Sequence, residues 1–209
     1  MILEYGGVLY VDEKVSDYFG AAWPEAKAQA PFGQLPLLIA DGELIAQSGS
    51  IVRYCASLVP GLMPADGIAR AKCDAIFEAS CELTTSGSPC NVNPLVNIFR
   101  GDDFIAKRTA YLELALPRIG NLAKQLGNGP FFFGAQPLYC DFGVYHVLSN
   151  TLLIEPTCLD AHANLRAFVA AFEALPGVTE YLAARPVPVQ IGTAPTLEPS
   201  IVGSRARPT

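Results

Sequence analysis

Residues 31–54, PFGQLPLLIADGELIAQSGSIVRY, contain the signals that decide the fold of the first part of the chain. The dipeptide Asp41-Gly42 stands between two short apolar runs, which is the pattern of a β-hairpin with a two-residue turn. Ser48 then precedes the run IVRYCASL, and its hydroxyl can cap the first turn of a helix. The stretch therefore predicts a strand, a tight turn, a second strand and a helix in direct succession.

A proline at the start of the first predicted strand points to a binding site. Proline lacks an N–H group and is rare in central strands, but a cis Leu35-Pro36 bond makes a sharp turn at a strand edge. The backbone of Leu35 would then be free to pair with an extended peptide. Gln47 and Ser48 follow at a helix N-terminus, where free N–H groups and the helix dipole favour a carboxylate. Each feature alone is more often structural, but together they predict a site for a small anionic peptide.

The rest of the chain shows two kinds of pattern. Residues 8–11, VLYV, suit a strand, and the alanine-rich residues 21–30 suit a short helix. Residues 59–67 contain two prolines and two glycines, as is typical of a linker. Helical patterns follow at 66–85, 102–126, 139–154 and 160–174. In the first of these helices, one predicted apolar face consists of Ile68, Ala75, Ile76, Ala79 and Leu83.

These patterns predict an α/β domain followed by a larger all-α domain. The predicted boundaries are residues 1–58 for the first domain and 66–186 for the second. Residues 187–209 are proline-rich and are expected to form an irregular tail.

Composition excludes several classes of function. The chain is 51% hydrophobic and 16% charged, with a net charge of −6, and it has no lysine and arginine cluster that would meet a nucleic acid. No apolar run approaches the roughly 20 residues of a membrane span. The six cysteines form no CxxC pair and have no histidine at metal-finger spacing. We therefore predict free thiols in the cytoplasm, no metal site, and neither nucleic acid nor membrane as a partner.

The stretch at 31–54 resembles the glutathione-site segment of the cytosolic glutathione transferases. It is most similar to the alpha, mu, pi and sigma group, and to sigma-like members above all. The resemblance includes WPEAK (23–27), the helix at DAIFE (74–78), FFFG…YCDF (131–142) and LPGVTEYLAARP (175–186), and it covers nearly all residues up to about 186. It implies a thioredoxin-like first domain, a helical second domain and a homodimer.

The resemblance also implies roles for individual residues. Leu35, held by a cis bond to Pro36, would pair its backbone with the cysteinyl part of glutathione. Gln47 and Ser48 would hold the γ-glutamyl carboxylate. The residues expected near the glycyl carboxylate are Trp23, Lys27 and Gln34.

Further family positions lie in the helical part of the chain. Glu82 stands where the family often has an aspartate that reaches the glutathione of the neighbouring subunit. Glu82 also ends an acidic stripe with Asp74 and Glu78, for which a solvated helix face and a functional role are both open. Some sigma-like prostaglandin synthases bind a divalent metal in this region, but Cys81 replaces one of the matching acids here.

Asp141 matches a buried aspartate that caps a helix in the family. Because Leu138 stands where the family has a serine or threonine, a reciprocal capping box cannot form. Asp141 is expected to accept backbone N–H groups and to serve folding rather than catalysis.

The implied activity is the joining of the glutathione thiolate to a hydrophobic electrophile, with glutathione as co-substrate. In this group a tyrosine at the end of the first strand activates the thiol, but this sequence aligns only from the end of the first helix onward. Neither Tyr5 nor Tyr10 matches that tyrosine, so no residue of this sequence is predicted to be catalytic. We expect Met1 to be an internal methionine of a longer chain. The alternative is a shortened homologue, which would favour a non-catalytic glutathione-binding or structural protein.

Overall fold

A computed structural model of the chain describes residues 1–83 and 104–185. The elements of its first part are α1 (Ile2–Tyr5), α2 (Val15–Phe19), α3 (Trp23–Ala26), β1 (Leu37–Ala40), β2 (Glu43–Ala46) and α4 (Ser48–Ser57). The helices of its second part are α5 (Gly67–Cys81), α6 (Phe104–Leu126), α7 (Tyr139–Ile154), α8 (Ala163–Glu173) and α9 (Val178–Ala184). Across these described residues, no helix combines the length and the apolar character needed to cross a membrane.

The hairpin predicted at residues 37–46 is present. Strands β1 and β2 pair in antiparallel register, with Leu37 opposite Ala46 and Ala40 opposite Glu43. Asp41 and Gly42 form the turn and both have positive φ, 51° and 83°. Two successive positive φ values define the tight turn whose twist matches the flanking strands, and Asp-Gly tolerates them better than most dipeptides.

The strand predicted at residues 8–11 is wrong. Within the described part of the chain, the sheet consists of β1 and β2 alone, and residues 8–11 belong to neither strand. Leu9 and Val11 are 68% and 65% exposed. An apolar run becomes a strand only when its N–H and C=O groups pair with a neighbouring strand, and no described strand pairs with this one.

The helical part of the chain packs around α7. This helix buries ten of its residues, among them Tyr139 and Tyr145. The ring of Tyr145 stacks on Phe172 of α8, with centroids 4.3 Å apart. On the other side, the hydroxyls of Tyr111 in α6 and Thr151 in α7 lie within hydrogen-bond distance, at 2.6 Å. Aromatic packing and this buried hydrogen bond therefore connect α7 to both α6 and α8.

The buried face of α5 agrees only in part with the predicted one, because Ile76 packs half-buried against the core but Ala75 is exposed. Its buried residues are Cys73, Phe77 and Ser80, whereas Ile68 is 70% exposed. Leu83, just beyond the helix, is buried as predicted. The hydrophobic pattern failed because the contact with α7 depends on close approach of the two backbones, which small side chains permit.

Gly143 makes that approach possible. A Cβ atom at this position would lie 2.6 Å from Cδ2 of Phe77 and 3.1 Å from Oγ of Ser80. Real Cβ atoms do not approach a ring carbon that closely, so any larger residue would push α5 away from α7.

We expect Gly143→Ala to lower the free energy of unfolding by about 1–3 kcal/mol, because the added methyl group overpacks the helix crossing. The control is Gly120→Ala in the middle of α6, where a Cβ would lie 3.8 Å from the ring of His162, an ordinary contact. That control should be neutral or should stabilise the protein by up to about 1 kcal/mol through helix propensity. Urea unfolding of both variants checks this, and equal effects would show that the crossing is not tight.

Asp141 ties the loop before α7 to the start of that helix. Its carboxylate accepts hydrogen bonds from the backbone N–H groups of Leu138, at 2.7 Å, and Phe132, at 3.0 Å. The predicted contacts with backbone N–H groups are therefore present. The side chain is completely buried, and this burial raises the pKa of Asp141 to about 6, although the backbone hydrogen bonds act in the opposite direction.

We expect Asp141→Asn to reduce the free energy of unfolding by about 1–3 kcal/mol, because the new NH₂ group faces a backbone donor. The raised pKa means that the folded chain binds this proton more tightly than the unfolded chain. The stabilisation linked to the proton is therefore complete below about pH 4 and is lost as the pH rises through about 6.

The cost of Asp141→Asn should accordingly be larger at about pH 4.5 than at about pH 7.5. Urea titrations at the two pH values measure it. The control is Asp66→Asn at the exposed N-cap of α5, where either residue can accept the bond from the N–H of Ala69. A cost for Asp141→Asn that does not change with pH would contradict the account.

Candidate functional site

The peptide bond between Leu35 and Pro36 is cis, as the sequence predicts. The ladder between β1 and β2 begins at Leu37 opposite Ala46, so Leu35 lies outside it. The side chain of Leu35 is 46% exposed, and Gln34 and Pro36 on either side of it are exposed too. The turn before β1 therefore presents its backbone at the surface, where an extended ligand can approach it.

The start of α4 lies beside this turn. Gln47 has φ of 70°, and its side-chain Nε2 donates to Oε1 of Gln34 over 3.4 Å. The first hydrogen bond of α4 runs from the N–H of Ile51 to the carbonyl of Gln47, so the preceding N–H groups have no partner within the helix.

Ser48 is the first residue of α4 rather than its N-cap, and no side chain caps this end of the helix. This corrects the prediction that Ser48 caps α4. Gln47 occupies the N-cap position with a positive φ, and Gln47, Ser48 and Ser50 are exposed at this end of the helix. This arrangement suits an incoming carboxylate.

Lys27 and Trp23 lie one helical turn apart in the segment before this turn. The N–H of Lys27 donates to the carbonyl of Trp23, which is half-buried at the start of α3. The Lys27 side chain runs against Gly33, where a Cβ would lie 3.4 Å from its Cε, and its ammonium group is on an exposed residue. The aliphatic part of the Lys27 side chain therefore packs against Gly33, next to Gln34.

Phe32, in the same turn, is unusual in two respects. It has φ of 58°, a left-handed conformation that is rare for an aromatic residue, and its side chain is 76% exposed. The chain thus holds a large apolar ring in solvent two residues before Gln34 and three before Leu35 of the cis bond.

A cavity of about 500 Å³ lies between the first part of the chain and the helical part. Ser48 and Val52 of α4 line one side, and Phe77, Cys81 and Gly143 line the other. Sequence reasoning missed these last three as cavity residues. The lone Gly143 in an apolar helix was the available signal, because such a glycine often marks close approach of two elements.

Among the titratable groups that line this cavity, Cys81 and Tyr10 keep their protons at neutral pH, whereas burial lowers the pKa of His146. Burial raises the pKa of the Cys81 thiol above its ordinary value. Burial, together with a hydrogen bond to Glu4, raises the pKa of Tyr10 to about 12. The Tyr10 hydroxyl donates to Oε1 of Glu4 over 2.9 Å, so its proton already has an acceptor. Most of the cavity wall is apolar, and Asp12 and His146 add polar groups to it, so the cavity suits a mostly hydrophobic compound.

Two of the residues that the sequence singled out lie elsewhere. Tyr5 packs edge-on against Phe142, with ring centroids 5.6 Å apart. Glu82 lies just beyond the end of α5, and its exposed carboxylate is 3.4 Å from Nε of Arg118. Among the described residues, no group of three or more potential ligands could hold a metal ion.

Comparison with known proteins identifies the family. Residues 94–185 match the model of the glutathione S-transferase C-terminal domain. Glutathione S-transferase Mu 2 of Rattus norvegicus is 31% identical over 189 residues, which cover 87% of this chain and 83% of the relative. Glutathione S-transferase 1 of Ascaris suum is 28% identical, with 89% of both chains covered.

The fold agrees with this relationship. The solved structure of the glutathione S-transferase from Ascaris lumbricoides matches with a TM-score of 0.73 and 27% identity, over 89% of each chain. Rat hPGDS complexed with a quinoline matches with a TM-score of 0.72 at 21% identity, which shows the fold alone. The predicted architecture, a thioredoxin-like α/β part followed by an all-α part, is confirmed. This chain belongs to the glutathione S-transferase family.

Proposed function

We propose that this protein is a glutathione transferase, which joins the thiolate of bound glutathione to a hydrophobic electrophile. The observation that carries the proposal is the pairing of two exposed features. One is the Leu35 backbone before a cis Pro36, and the other is the uncapped first turn of α4 at Ser48. The named activity of the relatives supports the same function.

The proposed binding mode follows the chemistry of glutathione, a small peptide with a carboxylate at each end. The cysteinyl part pairs with the backbone of Leu35 in the manner of an added strand. The γ-glutamyl carboxylate accepts hydrogen bonds from the Ser48 hydroxyl and the free N–H groups of α4, with Gln47 beside it. The residues placed near the glycyl carboxylate are Trp23, Lys27 and Gln34.

The hydrophobic electrophile occupies the cavity beside Ser48, against Phe77 and Gly143. A glutathione thiol has a pKa near about 8.5, so only a small fraction is thiolate at neutral pH. Stabilising the anion by one pKa unit takes about 1.4 kcal/mol of selective interaction. We assign that catalytic interaction to no residue of this sequence, since the available hydroxyl of Tyr10 already donates to Glu4.

The proposal also covers the domain boundaries, the cellular location and the oligomeric state of the protein. We place the domain boundaries at residues 1–58 and 66–186, in line with the end of α4 at Ser57 and the start of α5 at Gly67. We place the protein in the cytoplasm, where the five described cysteines, all free thiols, would stay reduced. The protein acts as a homodimer in which Glu82 reaches the glutathione of the partner subunit.

We expect Ser48→Ala to raise the Kd for glutathione about tenfold, because a hydrogen bond to a carboxylate is lost. The control is Ser57→Ala at the other end of α4, where the hydroxyl bonds only to the carbonyl of Tyr54. Titration calorimetry measures both variants. Equal affinity of Ser48→Ala and the unaltered chain would refute the site.

An activity assay distinguishes a transferase from a protein of the same fold that only binds glutathione. The chain is first retained on immobilised glutathione and then assayed with a chlorinated nitrobenzene as electrophile. Retention with turnover supports the transferase, and it would contradict the statement that no residue of this sequence activates the thiol. Retention without turnover would show that the site binds glutathione without catalysis.

We propose that the exposed ring of Phe32 is buried at the interface of this homodimer. We then expect Phe32→Ser to weaken the homodimer at least about 100-fold, because the two symmetric copies of the ring lose their burial. The control is Phe133→Ser, which removes a ring that is 39% exposed and lies in the helical part. Sedimentation equilibrium gives the dissociation constants. A dimer unaffected by Phe32→Ser would place the interface elsewhere.

A further inference from the structure

Arg53 connects α4 to α5 through three side chains. Its Nε donates to Oδ1 of Asp74 over 2.8 Å, and its Nη2 donates to Oε1 of Glu78. The guanidinium carbon lies 5.0 Å from the ring centre of Phe77. A guanidinium held by two carboxylates and stacked on a ring has little freedom left to rotate.

The guanidinium also supports the first turn of α4. Arg53 follows Gly49 by one helical turn, so its side chain runs back toward the N-terminus of the helix. A Cβ at Gly49 would lie 3.0 Å from Nη1 of Arg53 and 3.6 Å from Cε1 of Phe77. The backbone next to Ser48 therefore rests directly on the Arg53 and Phe77 side chains.

Asp74, one of the two carboxylates that bind Arg53, is itself held by a residue of the core. The hydroxyl of Tyr139, at the start of α7, donates to the same Oδ1 of Asp74 over 2.5 Å. The Tyr139 side chain is completely buried, and its ring lies 5.8 Å from that of Phe77. Asp74 thus links Arg53 to a side chain that cannot move without disturbing the core.

The charge of Arg53 is balanced by the two carboxylates that it contacts. Partial burial lowers the pKa of Arg53, but the hydrogen bonds to Glu78 and Asp74 outweigh it and leave the pKa above its ordinary value. Burial raises the pKa of Asp74, but hydrogen bonds from Tyr139 and Arg53 outweigh it and leave that pKa lowered. One cation therefore faces two carboxylates, so the cluster offers no net positive charge to an anionic ligand.

We propose that Arg53 is a positioning residue of the glutathione site, which holds the first turn of α4, and with it Ser48, in the geometry that binds the γ-glutamyl carboxylate. This inference rests on the proposed function. It assigns Arg53 no contact with glutathione, and its effect is geometric rather than electrostatic.

Replacement by lysine separates geometry from charge. Arg53→Lys keeps the positive charge. A lysine ammonium, however, cannot donate to both carboxylates in the geometry of the guanidinium, and it lacks the planar group against which Gly49 packs. We expect Arg53→Lys to raise the Kd for glutathione about fivefold or more, and Arg53→Met to raise it about tenfold or more. The control is Arg166→Lys on α8, which alters an exposed ion pair with Asp160 in the segment before that helix. A Kd for Arg53→Lys equal to that of the unaltered chain would overturn the inference.

A double-mutant cycle tests whether Arg53 acts through Ser48. If it does, Arg53→Lys should cost much less affinity in a Ser48→Ala background than in the unaltered chain. Fully additive effects would show that the two residues act independently and would contradict the proposal.

Hydrogen exchange supplies a measurement that does not depend on glutathione. The amides of Ile51 and Val52, the first amides of α4 that donate within the helix, should exchange faster in Arg53→Lys, while those in the middle of α8 should not change. If the unaltered chain fails to bind glutathione, the proposed function fails, whereas the exchange result still decides the role of Arg53. If Arg53→Lys does not fold, Glu78→Gln removes one of the two carboxylates and should accelerate the same amides to a smaller extent.

Discussion

The close packing of α5 against α7 at Gly143 is the constraint on which the candidate site depends. Because this residue has no side chain, Phe77 and Ser80 lie directly on the α7 backbone. That contact fixes Phe77, and the Tyr139 hydroxyl fixes Asp74 on the same face of α5. Arg53 then joins this face to α4. The position of an exposed serine thus depends on a glycine in another helix.

The sequence predicted the parts of the fold that local signals determine. Asp41-Gly42 specified the hairpin turn, and the long apolar run ending before Pro156 specified α7 from Tyr139 to Ile154. Predictions that depended on packing partners were less successful. Residues 8–11 carry a strand pattern, but no described strand pairs with them. The buried face of α5 follows from its crossing with α7, so hydropathy alone placed Ile68 wrongly.

The sequence predicted the backbone features of the candidate site. It did not predict the side chains of other helices that pack against the site. The Leu35-Pro36 bond is cis as expected, and Ser48 lies at the start of a helix, although as its first residue and not its cap. The cavity wall of Phe77 and Gly143 and the Arg53 contacts arise from helices distant in sequence. Apart from the lone Gly143 in an apolar helix, no feature within one segment indicated them, because they depend on how α4, α5 and α7 meet.

The central claim is that glutathione binds across the turn before β1 and the start of α4. The most direct test is a titration of the ¹⁵N-labelled protein with glutathione, followed by amide chemical shifts. The account predicts saturable shifts at Leu35 and at residues 47–50, with little change in α8. Saturable shifts confined to α8, or the absence of any saturable shift, would contradict it.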